Sequence, residues 1–87
     1  DSISLAKNEI HIDNQKEGVV ITSIKENSSI ASSNMQKGDI ITKINGKSIK
    51  NIATLRYEVY QYQSGDIIEI TYIRNGKEYQ ERVTLKD

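Results

Sequence analysis

Gly18-Val19-Val20-Ile21-Thr22-Ser23-Ile24, then Asn27-Ser28-Ser29-Ile30-Ala31-Ser32-Ser33-Asn34-Met35, then Lys37-Gly38-Asp39-Ile40-Ile41-Thr42-Lys43-Ile44-Asn45-Gly46-Lys47, is the stretch whose order decides the fold. It reads as a strand opened by Gly18, a one-turn helix, a second strand and a tight hairpin. The short helix, around Ile30 to Ser33, has almost no apolar periodicity, and the serines near it lower its intrinsic helix preference. Asn34 supports it nonetheless, because a helix exit commonly needs a residue in the left-handed region, where Asn is second only to Gly.

Two Asn-Gly pairs, Asn45-Gly46 and Asn75-Gly76, sit between apolar runs. Both central positions of a type I′ turn need positive φ, so this dipeptide is the strongest short hairpin signal. The expected pairs are Asp39 to Ile44 with a short strand around Lys47 to Ile49, and Asp66 to Arg74 with Lys77 to Lys86. The last strand alternates, with Tyr79, Val83 and Leu85 on one face and Gln80, Arg82 and Thr84 on the other, which predicts one buried face. Between the hairpins a longer helix is expected, capped by the Asn51 side chain. Its stripe is Leu55, Val59 and Tyr62, and Ser64-Gly65 ends it. Tyr57, Tyr60 and Tyr62 read as amphipathic packing, with at least two hydroxyls in water.

Length and charge bound the function. At 87 residues the chain is a single domain over 1–87, near the lower limit for a core without staples. It has no Cys, which removes disulfides and thiolate metal sites. Twelve basic and twelve acidic residues cancel without runs of like charge, which argues against a nucleic-acid footprint. No apolar stretch exceeds Val19 to Ile21, far short of the roughly 20 residues that span a bilayer. A chain bounded by Asp1 and Asp87 reads as part of a longer protein.

Catalysis has little to work with. The single His, His11, lies in the alternating strand pattern Glu9-Ile10-His11-Ile12-Asp13, and no Gly-x-Ser-x-Gly elbow accompanies the serines. Glu9, His11 and Asp13 share a strand face and form the one trio with metal-ligand chemistry. A surface strand is the reading favoured here, with no catalytic residue, no metal and no cofactor.

The ordered set Asn27-Ser28-Ser29-Ile30, Asn34-Met35, Gly38-Asp39-Ile40-Ile41, Ile44-Asn45-Gly46-Lys47, Leu55 and Gly65-Asp66 resembles the PDZ domains of bacterial HtrA-type, trypsin-like serine proteases. The match runs from Gly18 to Leu85 without insertion through its first half. Asn34 stands where that family usually has Gly, and Met35 stands for its usual Leu as the plug beneath the turn. The resemblance implies an α+β, PDZ-like fold: a small, partly open antiparallel barrel or sandwich of five to six strands, with one short and one longer helix.

It also implies a peptide-binding module that takes up C-terminal or extended hydrophobic segments by β-strand addition, with the terminal carboxylate held by backbone N–H groups. Such a module regulates, or delivers substrate to, an attached HtrA-like protease in an extracytoplasmic, membrane-anchored or secreted parent at the bacterial cell surface. The alternatives are a scaffold domain with a degenerate groove, or the PDZ domain of a site-2, carboxyl-terminal processing or Lon-like protease. The carboxylate loop falls on Ser2 to Leu5, where Ser4 replaces the usual Gly. The implied peptide-binding residues are Ile3, Ser4, Leu5, Ala6 and Lys7, with Ala6 to Ile12 as the pairing strand, and Thr54, Leu55, Glu58 and Tyr62 across the groove. The implied partners are peptide or unfolded-protein C-termini and the attached protease domain.

Overall fold

A computed structural model of the chain describes residues 10–15, 18–24 and 33–85. Among these residues, six strands and one helix follow in the order β1 (Ile10–Gln15), β2 (Gly18–Ile24), β3 (Ile40–Ile44), β4 (Lys47–Ser48), α1 (Ile52–Val59), β5 (Ile67–Arg74) and β6 (Lys77–Thr84). Every pairing is antiparallel, and the sheet runs β1-β2-β3-β5-β6 with β4 folded back on β3.

Both Asn-Gly hairpins form where the turn chemistry puts them. Asn45 and Asn75 have φ of 50° and 53°, and the glycines after them 80° and 78°. Each pair thereby supplies two positive φ angles in a row, as the right-handed twist of the flanking strands demands.

The core is built from the alternate residues of these strands and the inner stripe of α1. Val19, Ile21, Ile41, Ile44, Ile68, Ile70 and Tyr72 from the sheet meet Leu55 and Val59 from the helix. Met35, Ile49, Val83 and Leu85 close its margins. Each such side chain contributes about 1.5 to 3 kcal/mol when fully removed from water, so the strand periodicity alone specifies which face turns inward. Tyr79 lies on the core-facing side of β6 but near its exposed end. It is 40% exposed and stacks on Tyr72 with ring centroids 5.6 Å apart.

Two turns share one construction. Gln36-Lys37-Gly38-Asp39 and Gln63-Ser64-Gly65-Asp66 each place Gly at a φ near +95° (96° and 95°), which an L side chain rarely adopts. In both, the Asp N–H donates to the Gln carbonyl (3.1 and 3.0 Å), and an Asp Oδ2 accepts the Gln N–H (2.7 and 2.8 Å). The first turn delivers the chain into β3 and the second into β5. Asp39 is only 1% exposed, and its carboxylate also takes both Nε and Nη2 of Arg74 at 2.7 Å each. The Arg74 guanidinium lies 5.6 Å from the ring centroids of both Tyr72 and Tyr79.

Two expectations are corrected. Asn34 does not occupy the left-handed region, since Asn45 and Asn75 are the non-glycine residues with positive φ among those described. Its carbonyl instead accepts Arg74 Nη2 at 2.7 Å, and its side-chain amide donates to Glu81 Oε2 at 3.2 Å. The helix expected around Ile30 to Ser33 falls, apart from Ser33, outside the described residues. The second correction concerns the end of α1, which stops at Val59 rather than at Ser64-Gly65. Gln61 and Tyr62 donate to the carbonyls of Glu58 and Val59, three residues back, and this tightened turn carries Tyr62 away from the helix axis.

Candidate peptide-docking face

β1 stands at one end of the sheet order and pairs with β2 from Ile10 opposite Ile24 to Gln15 opposite Gly18, with a bulge between His11 and Ile12. α1 lies beside β1, β2 and β3. A sheet end next to a helix is the arrangement into which an extended segment can add as a further strand, because an edge strand presents a row of N–H and C=O groups.

The helix begins on a well-made cap. Asn51 Oδ1 accepts both the Thr54 N–H at 2.9 Å and the Thr54 hydroxyl at 3.0 Å, while Asn51 itself is extended. Thr54 is therefore half-buried and engaged in its own cap. Leu55 is fully buried within the core, so it supports the helix from beneath rather than lining an open surface.

Glu58 and Tyr62 are tied to the β3–β4 hairpin. Glu58 is 7% exposed, and its Oε2 lies 3.7 Å from Lys47 Nζ on β4 without a hydrogen-bond partner. Tyr62 accepts a hydrogen bond on its hydroxyl from Asn45 Nδ2 at 2.8 Å. Asn45 Oδ1 in turn accepts the Glu69 N–H at 2.8 Å, so one amide joins the hairpin, the exit of α1 and β5. Tyr57 and Tyr60 hold their rings largely in solvent, 68% and 49% exposed.

Helical spacing fixes the rest of the face. Leu55 and Val59 point at the core, Glu58 lies on one flank, and Arg56, two residues away, lies on the other at 100° per residue. The β3–β4 hairpin holds the Glu58 flank, so the Ile52 and Arg56 flank is the one turned away from it, and α1 as a whole lies beside β1, β2 and β3. Ile52 is half-buried and Arg56 exposed. The sequence signal for this division was available in Asn45 and Lys47, two polar residues at the hairpin tip with long reach toward the helix.

Ile3, Ser4, Leu5, Ala6 and Lys7, as well as Glu9 of the Glu9, His11 and Asp13 trio, lie outside the described residues. Among the described residues no group of three or more His, Cys, Asp or Glu is placed to hold a metal, and no helix is long and apolar enough to cross a membrane. Two depressions elsewhere on the surface measure about 490 Å³, beside Asn45, Ile68 and Arg82, and about 260 Å³, beside Gly38, Arg74 and Asn75.

Comparison with known proteins agrees with this geometry. The PDZ domain family profile matches residues 9–85. A serine protease Do-like HtrA of Lactobacillus helveticus is 36% identical over 73 residues, covering 84% of this chain and 18% of that protein. The periplasmic pH-dependent serine endoprotease DegQ of Escherichia coli strain K12 is 32% identical over 68 residues, covering 78% of this chain and 15% of that protein. This chain thus spans less than a fifth of these relatives' length.

Among solved structures, the HtrA3 PDZ domain bound to a phage-derived ligand superposes with a TM-score of 0.73 at 17% identity, over 90% of this chain and 80% of that one. The HtrA-type protease AlgW with a decapeptide superposes with a TM-score of 0.80 at 16% identity, over 90% and 28% respectively. Likenesses at such low identity speak to fold, and the profile and the curated relatives speak to descent. The chain belongs to the PDZ domain family, and its curated relatives are HtrA-type serine proteases.

Proposed function

We propose that this chain receives the carboxyl-terminal segment of a peptide or unfolded protein as an added strand along β1, and so regulates or supplies an attached HtrA-like serine protease. The observation that carries the reading is the position of β1 at the end of the sheet order with α1 beside it. Backbone hydrogen bonds along the strand supply affinity, and side chains on the helix flank supply selectivity. The module itself performs no bond cleavage in this scheme; the peptide-bond chemistry belongs to the partner domain. Relatives named as periplasmic proteases support an extracytoplasmic parent.

In this proposal the helix side of the groove is Ile52 and Arg56, while Thr54, one turn before Glu58, shares the flank that the hairpin holds. Glu58 and Tyr62, committed to the hairpin, set the position of α1. An exposed guanidinium beside the incoming strand favours peptides carrying an acidic side chain upstream of the terminus.

The test is an NMR titration of the isotopically labelled domain with peptides ending in a free hydrophobic carboxylate and with the same peptides amidated. Shifts confined to the N-terminal 15 residues and Ile52–Val59, lost on amidation, support the proposal. Absence of shifts at about millimolar peptide, the weak end of specific recognition, would leave a scaffolding role instead. Arg56→Glu should weaken acidic peptides and strengthen basic ones while the amidation effect persists.

A further inference from the structure

The two Asn-Gly turns have the same backbone but different side-chain fates. Asn45 is held at both ends of its amide, Nδ2 donating to Tyr62 and Oδ1 accepting from Glu69, each at 2.8 Å. Asn75 sits at the exposed tip of the β5–β6 hairpin, and its side chain has no hydrogen-bond partner among the described residues. In each pair the following Gly has no Cβ to shield its amide nitrogen.

We infer that Asn75-Gly76 is a site of spontaneous deamidation and isoaspartate formation, and that Asn45-Gly46 is protected from the same reaction by its two side-chain hydrogen bonds. The Gly76 backbone nitrogen loses its proton to solvent base and attacks Cγ of Asn75. An N–Cγ bond forms, the Cγ–Nδ2 bond breaks, and Nδ2 leaves as ammonia. Water then opens the resulting succinimide at either carbonyl, giving aspartate or isoaspartate. No oxidant or enzyme is needed. At Asn45 the same attack requires the amide to rotate out of both hydrogen bonds, and the β3–β4 hairpin to separate from Tyr62 and β5.

The location gives the change a local consequence. Asn75 borders the depression beside Gly38, Lys37, Asp39 and Arg74. A new carboxylate there competes with Asp39 for Arg74, and the isoaspartate product adds a methylene to a two-residue turn whose length sets the β5–β6 register.

The experiment incubates the folded chain at mildly alkaline pH and follows each site by peptide mapping with isoaspartate detection, in buffer and in denaturing urea. In the folded protein Asn75 should convert about tenfold faster than Asn45, the factor expected from two modest hydrogen bonds. In urea the two rates should come together, because the unfolded pairs are chemically alike. Tyr62→Phe, which keeps the ring and removes one of the two bonds, should raise the Asn45 rate several-fold in the folded state. Equal rates in the folded protein, a gap that survives in urea, or an Asn45 rate unmoved by Tyr62→Phe would each overturn the inference.

Discussion

Gly18→Ala is the substitution that the structure constrains most sharply. Gly18 opens β2 against β3, and a Cβ built on it would lie 2.2 Å from the Ile41 carbonyl oxygen, 3.1 Å from the Ile41 carbonyl carbon and 3.2 Å from Ile40 Cγ2. The first distance is more than an ångström short of the 3.4 Å at which ordinary contact begins. The obstructing atom is backbone, so no side-chain rotation relieves it, and β2 must move away from β3.

The β2–β3 ladder is short: Val19 opposite Ile41 and Val20 opposite Ile40, extended by the Ile21 N–H on the Asp39 carbonyl and the Gly38 N–H on the Ile21 carbonyl. Overpacking of this kind costs about 1 to 3 kcal/mol, and loosening even one ladder hydrogen bond adds about 1 kcal/mol. The expected loss is about 3 kcal/mol, a large share of the roughly 4 to 13 kcal/mol available to a chain of this size. In urea melts followed by circular dichroism, with a slope near 1 to 1.5 kcal/mol/M, that moves the midpoint down by about 2 to 3 M. Gly76→Ala is the matched control, for it meets nothing within 4 Å and carries only the backbone penalty of its φ of +78°. It should cost about 1 to 2 kcal/mol. A Gly18→Ala protein within about 0.5 kcal/mol of the parent, below the smallest overpacking cost, would refute the close approach of β2 to β3.

Asn51→Ala removes the oxygen that caps α1 and should cost about 1 kcal/mol in the same melts. Leu55→Ala, at a position with no exposure, should cost about 2 to 5 kcal/mol; a near-neutral result would move Leu55 out of the core. Arg74→Met strands the buried Asp39 carboxylate, so Asp39→Asn introduced on that background should recover stability, whereas on the parent it should lose it; additive losses would show that the two residues are not coupled. Burial, with Glu81 adding to it, raises the Tyr72 phenol above its ordinary 10.0. The folded state therefore keeps that proton to higher pH than the unfolded chain, and its contribution to stability is complete below pH 10 and lost as pH rises through the folded value. Tyr72→Phe should flatten the fall in stability above pH 10, which alkaline melts would read directly.

The strands and hairpins were legible because their signals are local and redundant. Asn45-Gly46 and Asn75-Gly76 announce their turns, and the alternation from Tyr79 to Leu85 announces its buried face. Asn34 departs from the expectation for a physical reason: Asn is the commonest substitute for Gly at a left-handed helix exit, but its amide and carbonyl are also good partners for Glu81 and Arg74, residues forty or more positions away. A spacing argument cannot weigh a bond to so distant a residue. The doubled Gln-x-Gly-Asp at Gln36 and Gln63 is a local repeat in the sequence, and the structure shows what it builds, a turn in which each Asp closes on its own Gln. The docking face was legible only in outline. Helical periodicity marks Leu55 and Val59 as inward, yet it cannot say which of the two flanks a neighbouring element holds; the structure adds that Lys47 and Asn45 reach across the fold to the Glu58 and Tyr62 flank.

That division of α1 into two flanks bears on how the domain could change selectivity without losing its fold. On one flank, Asn45 and Lys47 hold Tyr62 and Glu58, and the Asn45 amide also fixes β5 through Glu69; in the proposed docking mode, substitutions there should shift the helix as a body and change the width of the space beside β1. On the other flank, Arg56 is exposed and contributes to no core contact, so its charge can vary at little cost in stability. Lys47→Ala and Arg56→Ala should then separate cleanly. The first leaves the carboxylate of Glu58, whose side chain is 10% exposed, without its nearby cation and should lower both stability and the affinity for every peptide. The second should leave the melt unchanged and alter only the ranking of acidic against basic peptides. If Arg56→Ala lowers stability while Lys47→Ala does not, the flanks have been assigned the wrong way round, and β1 faces Glu58.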